Sequence, residues 1–230
     1  MKQALLIIIL GLGVVALSAC TLGPKSPAGE NSELNGSLSM KQEGQEEVVE
    51  NIPPAPLVDG NYQVDVNASI LTWRGEKNLI GKAHTGTAPL RSGSLQILNG
   101  QLSGGEFIVD LNALKSDEAI EGLETHLKSA DFFDVAAYPE AKLVITSVEL
   151  GDDALSYKVK ADLTIKGTTA PVSFSAALSQ SANVLMAISE FEIDRTVWGL
   201  QYASGKFFQD LGDKVISDEI KFGVNLQARL

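Results

Sequence analysis

Apolar and polar side chains alternate with a period of two along most of the chain after residue 58. The run from Tyr157 to Lys166 is the clearest, because every second residue is apolar or small and the others are polar. Such alternation is typical of a strand with one buried face and one solvated face. Similar patterns predict further strands around 62–66, 69–74, 83–89, 94–98, 107–111, 141–149, 172–174, 191–193 and 220–226.

Turn-forming residues separate these runs, among them Asn99-Gly100, Gly104-Gly105 and Lys166-Gly167. Eight or more short antiparallel strands joined by regular turns predict an all-β fold, either a sandwich or a closed barrel. The alternation by itself is compatible with both architectures.

One segment, between Ser116 and Ala130, has a helical pattern instead. Ile120, Leu123 and Leu127 recur at helical spacing, and acidic residues occupy the first turn. Ser116 has a side chain suited to capping the helix amino terminus. We therefore expect a helix that begins near Ser116 and lies across the mouth or the side of the β-structure.

The first twenty residues have the pattern of an exported lipoprotein. Lys2 is followed by an apolar or glycine run over 4–17 that ends in Leu17-Ser18-Ala19-Cys20. This layout predicts a signal peptide over 1–19, and its ending resembles the bacterial lipobox. The resemblance implies a diacylglycerol on Cys20, cleavage before it and acylation of the new amino terminus. The alternative is an uncleaved signal anchor in which the cysteine is incidental.

Residues 20–57 are rich in Glu, Gly, Ser, Asn, Gln and Pro and contain no aromatic side chain. Such a composition predicts a disordered linker with an r.m.s. span of about 35 Å, followed by one domain over 58–230. Cys20 is the only cysteine, so an intramolecular disulfide is excluded.

The chain carries 29 acidic and 18 basic residues, for a net charge of -11. This balance argues against nucleic acid or an anionic bilayer surface as a partner. Membrane attachment is therefore expected through the lipid on Cys20.

Three sequence blocks form a recognisable set, namely ETHLKSADFFDV at 124–135, DLTIKGTT at 162–169 and DRTVWGL at 194–200. In order and spacing, over about 60–230, they resemble the YceI-like, polyisoprenoid-binding family. That resemblance implies an eight-stranded antiparallel lipocalin-like β-barrel with a helical insertion, which binds long apolar molecules in its interior. It implies export for most members, and neither catalysis nor a cofactor. Trp198 departs from the family pattern, where a smaller aromatic residue is common.

The buried faces of the predicted strands would form the wall of such a barrel, which has room for side chains or for one narrow ligand. An extended lipid tail suits this space because its burial is favourable. The alternative for each wall residue is that it packs only against its neighbours. The candidate ligand-lining residues are Trp73, Phe107, Val109, Leu143, Ile145, Val159, Leu163, Phe174, Phe191, Ile193, Trp198, Phe222 and Val224.

Few polar side chains are candidates for chemistry. The chain has two histidines, His84 and His126, with no HExxH pattern and no thiolate in the domain, so we expect no metal site. No nucleophile elbow occurs either, and we assign no catalytic residue. His126 and Arg195 are candidate contacts for a ligand head group, and Asp194-Arg195 is interpreted chiefly as a structural ion pair.

These patterns predict a non-enzymatic lipoprotein that sequesters or transports a polyisoprenoid or other long-chain lipid at the bacterial envelope. Thr21 follows Cys20 where an aspartate would favour inner-membrane retention, so the periplasmic side of an outer membrane is favoured in a cell that has one. Otherwise the outer face of the cell membrane is expected.

Two other functions stay open at this point. One is an enzyme that acts on such lipids with His126 as general base, and the other is an envelope module whose barrel holds no ligand. A homodimer is also left open.

Overall fold

The computed structural model describes residues 56–77, 81–152 and 155–230. The predicted signal peptide, Cys20 and nearly all of the predicted linker lie outside this described part. Within it the chain forms eleven strands and one α-helix, in the order β1 (Gly60–Val64), β2 (Ile70–Lys77), β3 (Lys82–Thr87), β4 (Leu90–Leu98), β5 (Gln101–Asp110), β6 (Lys115–Ser116), α1 (Leu123–Lys128), β7 (Glu140–Leu150), β8 (Ser156–Ile165), β9 (Thr168–Ser181), β10 (Val184–Asp194) and β11 (Glu219–Arg229). Short 3-10 turns add Leu111–Ala113, Arg195–Trp198 and Gly212–Lys214.

The strands close into one antiparallel barrel. The order β1-β4-β5-β7-β8-β9-β10-β11 returns to its start because β1 also pairs with β11. Strands β2, β3 and β6 continue β1, β4 and β5 beyond short interruptions, so β2 pairs with β11 and β3 pairs with both β2 and β6. The barrel therefore has eight strand positions, three of which are split. This result confirms the closed barrel and excludes the sandwich.

Local chemistry explains the splits. After β1, the Asp65 carboxylate accepts hydrogen bonds from the amides of Asn67 and Ala68, both at 3.2 Å, and so turns the chain. Between β3 and β4 stands Pro89, which lacks an amide hydrogen and cannot continue a ladder. After β5, the Asp110 carboxylate accepts from the Asn112 amide at 3.0 Å and caps the turn.

One end of the barrel is closed by a compact apolar cluster. Its members come from β1, β4, β5, β8, β9, β10 and β11 and include Tyr62, Ile97 and Leu185, all of which are buried. The Tyr62 hydroxyl donates to the Val58 carbonyl at 2.9 Å. Leu57 belongs to the same cluster, one residue before the predicted domain boundary. The described chain, which begins at residue 56, therefore enters the barrel at this closed end.

The opposite end, which we call the mouth, is bordered by the β2–β3 hairpin, α1 and residues 199–218. The helix here is shorter than the sequence predicts, since α1 begins at Leu123 and follows Gly122 in a left-handed conformation. Ser116 as helix cap is wrong. Its backbone pairs with Gly86 between β6 and β3, and its hydroxyl donates to Glu118 at 2.7 Å.

Candidate functional site

An apolar cavity of about 140 Å³ lies inside the barrel. Of its lining residues, only Lys142 and Ser189 are polar. Three phenylalanines form one part of its wall: Phe174 stacks on Phe191 at a centroid distance of 4.8 Å, and Phe191 lies 5.4 Å from Phe222. We call this space the inner cavity, and its surface can offer dispersion contacts and little else.

Eleven of the thirteen candidate ligand-lining residues border the inner cavity. Their side chains project inward from β2, β5, β7, β8, β9, β10 and β11, as the alternation predicts. Contact with a ligand stays a prediction for all of them. The eleven are Trp73, Phe107, Val109, Leu143, Ile145, Val159, Leu163, Phe174, Phe191, Phe222 and Val224.

Ile193 and Trp198 are placed elsewhere. Ile193 is paired with Ile220 of β11, beyond the last pair that joins β9 to β10, and it is buried in an apolar cluster with Leu200. Trp198 follows β10 in a 3-10 turn, and its indole nitrogen donates to the Leu163 carbonyl at 2.8 Å. Neither side chain lines the inner cavity.

A second and larger space, the outer pocket, opens at the mouth. It has a volume of about 730 Å³ and a wall of mixed polarity, to which the β2–β3 hairpin, α1 and residues 199–218 contribute. Trp73 and Phe133 line both spaces. These two aromatic side chains therefore separate the inner cavity from the outer pocket, and we call them the neck.

Trp73 is held in the neck by two features of its surroundings. Its indole nitrogen donates to the Lys115 carbonyl at 3.2 Å. Gly86 lies opposite it on β3, where a side chain would collide with the ring. The neck is therefore fixed on one side by a hydrogen bond and by close backbone approach.

His126 lines the outer pocket, as its candidate head-group role requires. Its Nε2 lies 2.9 Å from the Asp131 carboxylate. Its ring also makes edge contacts with Phe132 and Tyr202, at centroid distances of 5.1 and 4.7 Å. These contacts connect α1 to the two mouth loops, so His126 has a structural role whether or not it meets a ligand.

Arg195 also borders the outer pocket, but its donors are already engaged. It is 1% exposed, and it donates to the carbonyls of Ser217 at 2.8 Å, Ile216 at 3.2 Å and Leu200. Its carboxylate partner is Asp218, at 3.5 Å. Burial lowers the pKa of Arg195, and the charge of Asp218 opposes that shift.

Asp194 and Arg195 both form structural ion pairs, as interpreted from the sequence, but their ion-pair partners are other residues and not each other. Asp194 instead pairs with Lys206 at 2.6 Å and accepts from the Thr196 amide at 2.9 Å. Lys206 also lies 3.4 Å from Asp218, so the ion pairs of Asp194 and Arg195 belong to one network that fastens the mouth loop.

Most titratable side chains that line the two spaces border the outer pocket, whereas Lys142 borders the inner cavity. The Nδ1 atom of His84 is buried without a hydrogen bond and lies 3.6 Å from the Glu118 carboxylate. Hydrogen bonds from the Ser116 hydroxyl and the Thr85 amide lower the pKa of Glu118, and burial opposes them. Across the described ranges, no group of three or more His, Cys, Asp or Glu side chains could hold a metal ion.

The sequence did not predict the outer pocket, because much of its wall comes from loops that are brought together only in the folded chain. Phe133, Tyr202 and Lys214, for example, lie outside any alternating run. No helix in the described part of the chain is both long and apolar enough to cross a bilayer.

The model of the YceI-like domain matches residues 62–228, which is most of the described barrel. The chain belongs to the YceI-like family. Among curated relatives, this YceI-like protein is 46% identical to a UPF0312 protein of Pseudomonas putida over 56 residues, which are 24% of this chain and 29% of that one. It is 39% identical to protein YceI of Escherichia coli O157:H7 over 70 residues, which are 30% and 36% of the two chains. The matches thus span about a third of the length of these relatives.

Two solved structures share the YceI-like fold. BcnA of Burkholderia cenocepacia superposes with a TM-score of 0.58 at 17% identity, covering 71% of this chain and 98% of that one. A polyisoprenoid binding domain from Saccharophagus degradans gives a TM-score of 0.58 at 19% identity, with coverages of 73% and 97%. At these identities the likeness concerns the fold, and it confirms the lipocalin-like barrel.

Proposed function

We propose that this YceI-like protein binds a long apolar lipid, of the polyisoprenoid class, without transforming it. The observation that carries the proposal is the apolar inner cavity, which meets the outer pocket at the Trp73–Phe133 neck. The description of the Saccharophagus relative as a polyisoprenoid binding domain supports the same ligand class.

The two volumes define how such a ligand would be held. An inner cavity of about 140 Å³ resembles the engineered apolar cavities that hold one benzene and lies below the roughly 300–1,000 Å³ of ordinary ligand pockets. The outer pocket, at about 730 Å³, lies within that range. A long lipid therefore passes the neck, with its tail in the inner cavity and the remainder in the outer pocket.

A binding role without catalysis fits the chemistry of the inner cavity. A bound tail would meet almost only apolar side chains there, which can neither transfer a proton nor act as a nucleophile. The titratable groups lie at the mouth, near the place where the polar end of a lipid would be.

The direct test is native extraction of the purified protein followed by lipid mass spectrometry. We expect an apolar lipid in stoichiometric amount, because a dry cavity favours apolar occupants. Protein that remains consistently empty after incubation with polyisoprenoid vesicles would contradict the proposal.

A matched pair of variants tests the site itself. Ala176 is buried and lines the inner cavity, whereas its neighbour Ala177 faces outward on β9. We expect Ala176→Leu to fill part of the cavity and weaken lipid binding about tenfold, equivalent to roughly 1.4 kcal/mol. Ala177→Leu should bind as the parent does. Equal affinities in a fluorescent-lipid titration would exclude the inner cavity as the binding site.

We further propose that the protein is exported and anchored at the envelope membrane by lipid on Cys20. The lipobox-like ending Leu17-Ser18-Ala19-Cys20 supports this location. Cys20→Ser is expected to release the protein from the membrane fraction or to leave its signal peptide attached. Normal processing together with unchanged detergent partitioning would argue against lipidation.

A further inference from the structure

We infer that the mouth of the barrel docks on the surface of a phospholipid bilayer by inserting exposed apolar side chains that surround the outer pocket. These side chains, which we call the docking patch, are Ile120, Tyr202 and Phe208. They are 40%, 42% and 48% exposed, and all three line the outer pocket. The partner is the bilayer itself, whereas the proposed function concerns a single lipid held inside the barrel.

The docking patch comes from two separate segments that the fold brings to one end of the barrel. Ile120 lies between β6 and α1, whereas Tyr202 and Phe208 belong to residues 199–218. His126 of α1 joins the two segments, because its ring contacts that of Tyr202 at a centroid distance of 4.7 Å. Apolar side chains from both segments are therefore exposed around a single opening.

The turn that carries Phe208 is held in place by the rest of the mouth. The Phe208 amide donates to the Ser204 carbonyl at 3.0 Å. Lys206, two residues earlier, pairs with Asp194 at 2.6 Å and with Asp218 at 3.4 Å. A fixed turn thus keeps a large aromatic side chain in water beside two other exposed apolar groups, which is characteristic of a surface that binds a partner.

The composition and the position of the docking patch favour a bilayer as that partner. A tyrosine places an apolar ring and a polar hydroxyl at the depth of the lipid head groups, and phenylalanine and isoleucine suit the acyl region below them. In a step that rests on the proposed function, the ligand would come from a bilayer, and exposure of its apolar chain to water during transfer is unfavourable. Contact between the mouth and the bilayer removes that exposure.

Charge at the mouth does not oppose this contact, although the chain has a net charge of -11. Charges more than about 8–10 Å away are largely screened at physiological salt, so the local balance decides. In the wall of the outer pocket and in residues 199–218, three lysines and three carboxylates form no ion pair with a described residue, namely Lys77, Lys82, Lys214, Glu121, Asp210 and Asp213. Because these charges cancel, we expect apolar insertion to dominate and anionic lipid to be unnecessary.

The experiment places a tryptophan reporter at each end of the full-length protein. The mouth reporter is Phe208→Trp. The closed-end reporter is Leu98→Trp, because Leu98 is 54% exposed at the end of β4 and lies outside both pocket walls. Vesicles of phosphatidylcholine with brominated acyl chains quench a tryptophan that enters the bilayer, and the signal of Trp73 and Trp198 is subtracted with the parent protein.

We expect quenching and a blue shift of the mouth reporter and neither change for the closed-end reporter. An anchor on Cys20 would hold the whole domain near the vesicle, so the difference between the two reporters does not depend on it. Equal quenching of both reporters would indicate adsorption without orientation and would overturn the inference.

A second pair of variants, made in the mouth-reporter protein, tests the docking patch. Ile120→Ser/Tyr202→Ser should lose most of the quenching. Ile70→Ser/Leu150→Ser, which changes two exposed apolar residues outside both pocket walls, should keep it. Added salt should leave the quenching unchanged. Quenching that required phosphatidylglycerol and disappeared in salt would mean electrostatic adsorption in place of insertion, and the inference would be wrong.

The vesicles contain no isoprenoid, so docking and ligand binding are tested separately. An unquenched mouth reporter in protein that still binds an isoprenoid would end the docking inference and leave the proposed function intact. Quenching in protein that binds no isoprenoid would support docking and remove the proposed function. Self-association that shifted the emission of the mouth reporter without vesicles would assign the docking patch to a second copy of the chain and exclude the bilayer.

Discussion

Gly86 leaves space for the indole of Trp73 at the neck. A Cβ atom there would overlap the Lys115 carbonyl oxygen and come within 2.6 Å of the Trp73 ring. The indole nitrogen donates to that same carbonyl, so neither neighbour can move without breaking the hydrogen bond. Gly86 does not have a left-handed backbone conformation. Glycine is therefore needed at this position for the close approach of its neighbours and not for its backbone dihedral angles.

We expect Gly86→Ala to destabilise the barrel by about 1–3 kcal/mol, the usual cost of overpacking. Gly75→Ala is the matched control, since it lies on the same face of the hairpin and a Cβ atom there meets nothing within 4 Å. Urea unfolding followed by tryptophan fluorescence measures both. Equal midpoints for the two variants would show that the neck tolerates the extra carbon.

Arg195 is the buried cation of the mouth. Arg195→Met should lower the free energy of unfolding by about 3 kcal/mol, because it leaves three carbonyls without their donor and leaves Asp218 with Lys206 as its cationic partner. Arg74→Met provides the comparison, as Arg74 forms an exposed pair with Glu76 and should cost about 0–1 kcal/mol. If chemical denaturation gave both variants the same stability, Arg195 would not be a structural clamp.

At the scale of elements, the long strands followed from alternation alone. Tyr157–Lys166 and Ile220–Leu226 were predictable because a buried face imposes a period of two. The splits of three strand positions could not be predicted from alternation. They depend on turns such as the one at Asp65 and on β6, which has two residues and is too short to show an alternating pattern. The helix was located, but its start was misplaced because Ser116 was already paired with Gly86.

The mouth elements should be sensitive to acid. Glu118, Glu124 and Asp194 all have a lowered pKa. For Glu118 the main cause is the hydrogen bond from the Ser116 hydroxyl, and for Glu124 it is the Ser116 amide. For Asp194, burial raises the pKa, but the bonds from Lys206 and Thr196 outweigh it.

A carboxyl whose pKa is lowered by folding stabilises the protein above its unfolded pKa, and that stability is lost as the pH falls through the lower folded value. Below about pH 4, we therefore expect faster hydrogen exchange over 115–128 and 195–218 than in β8. Exchange at pH 6 and pH 3, corrected for intrinsic rates, would measure this. Uniform loss of protection along the chain would contradict a local effect.

At the scale of the whole molecule, net charge was a poor guide to the site. The excess of acidic residues argued against nucleic acid or an anionic bilayer surface as a partner, and it gave no sign that Lys77, Lys82 and Lys214 line one pocket. Charges more than about 8–10 Å away are largely screened at physiological salt, so the local group matters more. The convergence required strand register and loop placement, which composition does not contain.

The neck should control passage between the outer pocket and the inner cavity. Phe133→Ala is expected to accelerate lipid entry and release about tenfold, which corresponds to roughly 1.4 kcal/mol of barrier. Phe207→Ala is the control, because Phe207 is half exposed and lies outside both walls. Stopped-flow mixing with a fluorescent isoprenoid measures the rates. Identical kinetics in the two variants would place the barrier elsewhere.

The described chain enters the barrel beside Leu57, at the end opposite the mouth. The entering segment contributes no residue to the wall of the outer pocket. A ligand would therefore reach that pocket without displacing the entering segment, and chain attachment and binding would use opposite ends of the domain.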